Sequence, residues 1–116
     1  NMLRNGKTED GRVILSERMW YLMHQTRVSF SNNTFRINDE AFCGYGWNLV
    51  GRVMENVGKA QYTTSLGEFG WSGAAATYFW VDPALDVTGC VMTQYIGREV
   101  PIDGMMQTAA MRMLDH

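Results

Sequence analysis

A serine surrounded by small residues is the part of this sequence most suggestive of chemistry. Ser72 lies in the segment Gly-Trp-Ser-Gly-Ala at positions 70–74, close to the Gly-x-Ser-x-Gly turn that holds a nucleophilic serine between a strand and a helix. The match fails at Ala74, and residues 77–81 are aromatic and β-branched, as in a strand rather than a helix. We therefore do not expect Ser72 to act as a nucleophile.

The other ionisable residues lack the spacing of a metal site or an acid–base site. His24 and His116 are the only histidines, and neither forms the His-x-x-x-His or Cys-His patterns of metal sites. They are also the only imidazoles that could serve as a base, and we interpret both as surface or capping residues. Glu68 and Asp82 are separated by a predicted strand, but no further spacing supports a carboxylate pair.

A short amphipathic helix is predicted near the N-terminus. Ser16 is a favourable N-cap residue, because its hydroxyl can accept a hydrogen bond from the first turn. The helix is predicted over Glu17–Thr26, since four residues recur there at the spacing of one helical face: Met19, Leu22, Met23 and Thr26.

The next forty residues show weaker patterns. Ser29–Glu40 is rich in Ser, Asn and Thr and is predicted to be a surface loop. Gly44–Val50 alternates small or polar with large apolar residues, which predicts a strand with one buried face. Gly51–Gly58 shows no clear period and could extend that strand or turn away.

The second half of the chain predicts a hairpin and a terminal helix. The hairpin joins Thr77–Val81 to Val87–Ile96 through a turn over Asp82–Asp86. Asp103 can cap the helix that follows, in which four apolar residues recur at helical spacing: Ala109, Ala110, Met113 and Leu114.

The composition indicates a globular domain. The 116 residues are 46% hydrophobic and 19% charged, which suits one domain with a core, and the net charge is −2. The charges form no basic stripe and no apolar run approaches the ~20 residues of a membrane helix, so neither nucleic acid nor a membrane is expected as a partner. Cys43 and Cys90 lie in apolar strand-like runs and are predicted to be buried free thiols, with a disulfide between them as the alternative if the protein is exported.

Three segments of the second half resemble a known family. They are Phe69–Ala75, Tyr78–Pro83 and Gly89–Gln94, and together they look like the esterase branch of the β-lactamase and penicillin-binding-protein superfamily of serine hydrolases. Weaker similarity upstream, at Met2–Gly6 and Gly11–Ser16, extends the resemblance over nearly the whole chain. In that family Ser-x-x-Lys, Tyr-x-Asn and Lys-Thr-Gly, or variants of them, meet in one cleft.

The resemblance implies a role for one short segment. Trp71, Ser72 and Gly73 match the third motif in its Trp-x-Gly variant, so they should line the substrate cleft. It also implies that the main-chain amide of Ala74 points into the oxyanion hole, where fixed donors stabilise charge on the reacting carbonyl oxygen. Trp71 at the cleft wall would suit esters or amides that carry no carboxylate. Neither a metal nor an organic cofactor is implied.

The other two motifs are absent. No serine has a lysine three positions later, since those positions hold Met19, Asn32, Thr34, Glu68 and Ala75. No tyrosine has an asparagine two positions later either. Without a nucleophile and its base this chemistry cannot proceed, so the chain alone is expected to be inactive.

We predict an α+β fold, with an antiparallel sheet of about three to five strands and the terminal helix on one face, as part of a β-lactamase/transpeptidase-like fold. The helix-like start at 1–6 looks like the middle of an element, so residues 1–116 are expected to be the C-terminal portion of a larger domain. An uncovered sheet edge would then pair with a second copy or with the complementing N-terminal portion. Two functions follow: part of an enzyme acting on a small acyl substrate, or a non-catalytic module that binds a peptide or protein.

Overall fold

A computed structural model describes residues 2–37, 40–97 and 102–114 of the chain. The helices are α1 (Met2–Asn5), α2 (Glu17–His24) and α3 (Ile102–Leu114). The strands are β1 (Thr34–Ile37), β2 (Glu40–Cys43), β3 (Tyr45–Trp47), β4 (Arg52–Met54), β5 (Phe69–Ser72), β6 (Tyr78–Asp82) and β7 (Val87–Val91). Short 3-10 turns lie at Ser31–Asn33 and Val57–Lys59.

The strands form two antiparallel sheets. One contains five strands in the order β3-β4-β5-β6-β7, and the other is the hairpin β1-β2. Along β5, Phe69 pairs with Val81 and Ser72 pairs with Tyr78. Because side chains alternate between faces, Phe69 and Tyr78 lie on opposite faces of the large sheet. The α+β architecture predicted from the sequence is confirmed.

Helices cover both faces of the large sheet. On one face, the His24 ring at the end of α2 packs against Phe69, with ring centroids 4.3 Å apart. On the other face, α3 buries Gln107 and Met111, and the Gln107 side chain bonds to Tyr78. The predicted terminal helix is therefore present and packs on one face. It begins at Ile102, and the side chain of Asp103, the proposed cap, lies outside the described residues.

The first long helix begins as predicted but buries a different face. The Ser16 hydroxyl accepts a hydrogen bond from the N–H of Met19 at 3.2 Å, so the predicted N-cap is confirmed. The helix ends at His24 rather than Thr26. Met19 and Leu22 are exposed, whereas His24 is buried. The predicted apolar face is wrong, because a histidine and not a methionine stripe packs on the sheet.

The prediction that Ser29–Glu40 is a surface loop is wrong. The segment contains β1 and the first residue of β2, which pair so that Phe35 lies opposite Phe42. The two rings stack at 4.7 Å and both are buried in the main apolar cluster. Losing either ring from such a position typically costs about 3–5 kcal/mol of stability. The hairpin is thus stabilised by the contact between Phe35, which lies in the predicted loop, and Phe42, which follows that loop.

The predicted strand over Gly44–Val50 is shorter in the structure. It ends at Trp47 because the Asn48 side-chain oxygen accepts hydrogen bonds from the N–H groups of Val50 and Gly51, both at 2.8 Å. This turn reverses the chain, so the ambiguous segment after it turns away and returns as β4.

The predicted β6–β7 hairpin is present, but β6 extends to Asp82 and β7 ends at Val91 rather than at Ile96. Its turn is fixed by Asp82, whose carboxylate accepts a hydrogen bond from the N–H of Leu85 at 3.1 Å, and by Asp86 in a left-handed conformation. Both cysteines are free thiols as predicted, but the prediction that they are buried is wrong. Cys43 is half-buried and Cys90, on β7, is exposed.

Candidate functional site

The segment predicted to line a cleft lies at the end of β5. Trp71 and Ser72 belong to the strand, and Gly73 starts the turn into β6, where its N–H donates to the carbonyl of Thr77 at 2.8 Å. The turn is tight because Ala76 adopts a left-handed conformation with φ 60°. The hairpin therefore fixes the backbone of the motif through its pairing with β6.

A cleft of about 350 Å³ opens at this point. Trp71, Ser72 and Gly73 line it together, opposite Cys90 and Met92 from the end of β7. Three of the four predicted site residues are thus in one place. Ala74 lies beyond them, exposed on the turn.

The Trp71 side chain is held by its neighbours. Its ring stacks on Phe42 at 5.4 Å and meets Trp47 edge-on at 4.8 Å. Aromatic pairs of this geometry add about 0.5–1.5 kcal/mol each beyond burial. The indole is half-buried, so it offers a fixed apolar wall rather than a mobile side chain.

The main chain after the motif presents a hydrogen-bond donor. Among residues 2–37, 40–97 and 102–114, the N–H of Ala74 has no acceptor. An N–H that is exposed and held by a rigid turn can bind an oxyanion without reorganising.

The local structure argues against Ser72 as a nucleophile. A nucleophile elbow requires a helix after the serine, but here the chain turns back into the strand β6. His24 cannot readily supply a base, because it is buried and its Nδ1 donates to the carbonyl of Trp20 at 2.5 Å. Burial also lowers the pKa of His24 below its ordinary value. His24 is therefore buried and not the surface residue that was one of the two predictions, while its hydrogen bond to a carbonyl of its own helix agrees with the other, a capping role.

Sequence reasoning missed a group of buried polar residues on the α3 side of the sheet. It consists of Tyr45, Arg52, Glu68, Tyr78 and Gln107, and we call it the buried polar cluster. Arg52 and Glu68 are only 1% and 0% exposed. Buried charges are rare unless they are paired or hydrogen-bonded, so the cluster must satisfy them internally.

Hydrogen bonds join the members of the buried polar cluster. The Tyr45 hydroxyl donates to Oε2 of Glu68 at 2.8 Å. The Tyr78 hydroxyl accepts from Nη2 of Arg52 and donates to Oε1 of Gln107 at 2.6 Å, with Oε1 of Glu68 at 3.3 Å. The network links three strands, the loop before β5, and α3.

Aromatic rings surround the Arg52 guanidinium. Its central carbon lies 4.6 Å from the ring centroid of Tyr45 and 4.8 Å from that of Tyr78, with Phe42 and Tyr62 at 5.6 and 5.8 Å. Cations over aromatic faces gain about 0.5–2 kcal/mol each, so the rings offset part of the desolvation of the charge.

The two candidate carboxylates do not share a site. Glu68 bonds within the buried polar cluster, and burial raises its pKa although the Arg52 charge opposes the shift. Asp82 instead caps the β6–β7 turn. Among the described residues, no group of three or more His, Cys, Asp and Glu side chains could hold a metal ion.

The sequence carried one weak signal of the buried polar cluster. Arg52 lies within the otherwise apolar run at 49–54, where a strand would bury it. Its partners come from positions distant in the sequence, which no local pattern reveals. In the described part of the chain, no helix has the length and apolarity needed to cross a membrane.

The fold belongs to a defined structural class. It is α+β, with antiparallel sheets and flanking helices, and corresponds to part of a β-lactamase-like fold. One solved structure that it resembles is EstCE1, described as a hydrolase with promiscuous acyltransferase activity, at a TM-score of 0.69 and 22% sequence identity. The likeness covers 92% of this chain and 25% of EstCE1. This chain therefore spans about a quarter of that protein, and the likeness shows the fold.

No protein-family model matches the sequence, and no curated protein matches it.

Proposed function

We propose that the chain is the C-terminal portion of a serine hydrolase of the β-lactamase and penicillin-binding-protein superfamily, in its esterase branch. The observation that carries the proposal is the β5 segment, in which Trp71, Ser72 and Gly73 line an open cleft directly before the unpaired N–H of Ala74. EstCE1, a hydrolase with promiscuous acyltransferase activity, supports the same class of chemistry.

The chain's own role would be to bind and polarise an acyl group. The ester carbonyl oxygen would accept a hydrogen bond from the N–H of Ala74, while the acyl chain lies against Trp71. A serine from the rest of the domain would attack the carbonyl carbon, pass its proton to a Lys or Tyr base and expel the alcohol. Water would then release the acid from the acyl-enzyme.

The isolated chain is expected to be inactive, because Ser-x-x-Lys and Tyr-x-Asn are absent from it. The chain should neither react with a fluorophosphonate probe nor cleave a chromogenic short-chain ester. Intact mass spectrometry reads out the first result directly. A labelled Ser72 would show that the motif carries the nucleophile and that the assignment of roles is wrong.

The proposal is tested most sharply at Ala74 in a protein extended by its upstream coding region, which should contain Ser-x-x-Lys. Ala74→Pro removes the N–H and is expected to lower kcat about 100-fold to 1000-fold, the usual loss for one oxyanion donor. Ala74→Gly keeps the N–H and should retain activity. Equal activity of the two variants, or an upstream region without the motif, would contradict the proposal.

A second candidate is a non-catalytic module, and the observation that favours it is the position of β7. Within the described residues β7 is the outer strand of the large sheet, whereas β3 at the other edge is covered at Trp47 by Val28. An open strand edge can accept a peptide strand. As a non-catalytic module, the chain would bind a peptide or an extended segment of a partner protein at this edge, where it would add a further strand to the sheet.

A further inference from the structure

A second and larger pocket lies between α3 and the strand β2. Its volume is about 610 Å³, within the range of small-molecule sites. Phe42, Tyr45 and Arg52 form its wall on the sheet side, and Met105 and Ala109 form the α3 side. The pocket shares no lining residue with the β5 cleft, so it is a separate candidate site.

The guanidinium of Arg52 in the wall of this pocket has no carboxylate within salt-bridge distance among the described residues. In the part of the chain that the structure describes, its Nε–H has no acceptor either. Glu68 is linked to it through Tyr78, and burial raises the pKa of Glu68 and so disfavours its charged form. Burial also raises the pKa of Tyr45, which stays neutral.

The pocket combines this fixed positive charge with apolar walls. Arg112 adds a second, exposed cation to the lining, against the single carboxylate of Glu40. The side chains of Phe42, Met105 and Ala109 are apolar and have no strong hydrogen-bonding group for a polar ligand. An organic anion satisfies both features, because its charge meets the cations while its hydrocarbon part lies on the apolar wall.

We propose that this pocket binds a small organic monocarboxylate, with its alkyl or aryl body between Phe42 and α3 and its charge directed toward Arg52 and Arg112. The Arg52 charge acts on the bound anion mainly through its field, which is strong because the aromatic cage excludes water. Gly104 lets α3 lie close to Tyr62, since a Cβ there would be 2.8 Å from Cδ1 of Tyr62, and this contact closes one end of the pocket.

The test compares 4-phenylbutyrate with its uncharged amide, 4-phenylbutanamide, by isothermal titration calorimetry on the 116-residue chain. The carboxylate should bind, and the amide should bind at least about tenfold more weakly, because the amide carries no charge to interact with the field of Arg52 and Arg112. Arg112→Gln should weaken carboxylate binding about twofold to fivefold, as expected for an exposed charge. Arg18→Gln, an exposed arginine on α2 outside the pocket, is the matched control and should change nothing.

A variant that fills the pocket tests the site without a substitution at the buried Arg52, which could prevent folding. Ala109 is exposed on α3, so Ala109→Phe should fold and should block both ligands by occupying the pocket. Equal affinity for acid and amide would overturn the charge requirement. Unchanged binding by Ala109→Phe, or no detectable heat with the carboxylate at millimolar concentration, would overturn the site itself.

Discussion

At the scale of single residues, the Tyr45 hydroxyl is the most informative atom of the buried polar cluster. It donates to Glu68 and lies 3.0 Å from the Tyr62 hydroxyl, which can donate to it in turn. Tyr45→Phe removes both bonds and takes a hydrogen-bond donor away from the buried carboxylate of Glu68. We expect it to lower the free energy of unfolding by about 1–3 kcal/mol, measured by urea denaturation.

The matched control is Tyr21→Phe, because Tyr21 is 57% exposed on α2 and lies outside the cluster. It should leave stability within about 0.5 kcal/mol of the parent chain. If the two variants lose the same stability, the hydroxyl network contributes nothing to the fold.

His24 gives the fold a dependence on pH at the same scale. Its ring packs between Trp20 and Phe69, and its Nε2 is buried with no partner in the described part of the chain. Because burial lowers the pKa of His24 below 6.5, the unfolded chain takes up the proton first as pH falls. The contribution of His24 to the free energy of unfolding is therefore fully present above about pH 6.5. It declines below that pH, at no more than about 1.4 kcal/mol per pH unit.

Urea titrations at pH 7.5 and 5.5 check this sign, with His24→Gln as the non-titrating control. The raised pKa of Glu68 acts in the opposite direction, since its contribution is lost as pH rises above 4.5. Subtracting the control isolates His24, because Glu68 titrates in both proteins. A parent chain that loses no more stability than His24→Gln at pH 5.5 would contradict the prediction.

At the scale of elements, the β5–β6 pairing depends on Gly70. A Cβ at this position would overlap the carbonyl oxygen of Phe79 and lie 2.9 Å from Cα of Trp80. The obstacle is backbone, so it cannot move aside without separating the strands. Gly70→Ala should lower the free energy of unfolding by about 1–3 kcal/mol, and Thr88→Ala on the exposed face of β7 should change it little. Thermal denaturation of both variants measures the difference.

The elements that could be predicted from the sequence are those determined by residues close to one another along the chain. The Ser16 cap is determined by residues three positions apart, and the β6–β7 turn by Asp82 and Asp86 within one segment. β1 was missed because its short alternation is followed by polar residues, and its stability comes from Phe35 packing on Phe42.

The same distinction applies to the two candidate sites, one formed by a continuous segment and the other by residues distant in the sequence. The Trp71–Gly73 segment could be singled out as a candidate because its motif is continuous in the sequence. The buried polar cluster could not, because the residues around Arg52 come from β3, β6, α3 and the loop before β5. Only the three-dimensional arrangement brings such residues together.

At the scale of the whole molecule, the open edge of β7 predicts self-association when the complementing portion is absent. The 13.2 kDa chain should elute with a larger mass in light-scattering chromatography. Thr88→Lys with Met92→Lys places charges along this edge and should shift the protein toward the monomer. Leu49→Lys with Leu66→Lys is the control, because both leucines are exposed away from β7. A monomeric parent chain at high concentration would refute the prediction.

The exposed thiol of Cys90 gives the molecule a natural attachment point. Cys43 is half-buried, so a maleimide dye should react first at Cys90, whose sulfur lies 3.7 Å from that of Met92. A dye there would stand both in the cleft and beside the open strand. Its emission would therefore report, without any engineered residue, whether a small molecule enters the cleft or a polypeptide covers the edge.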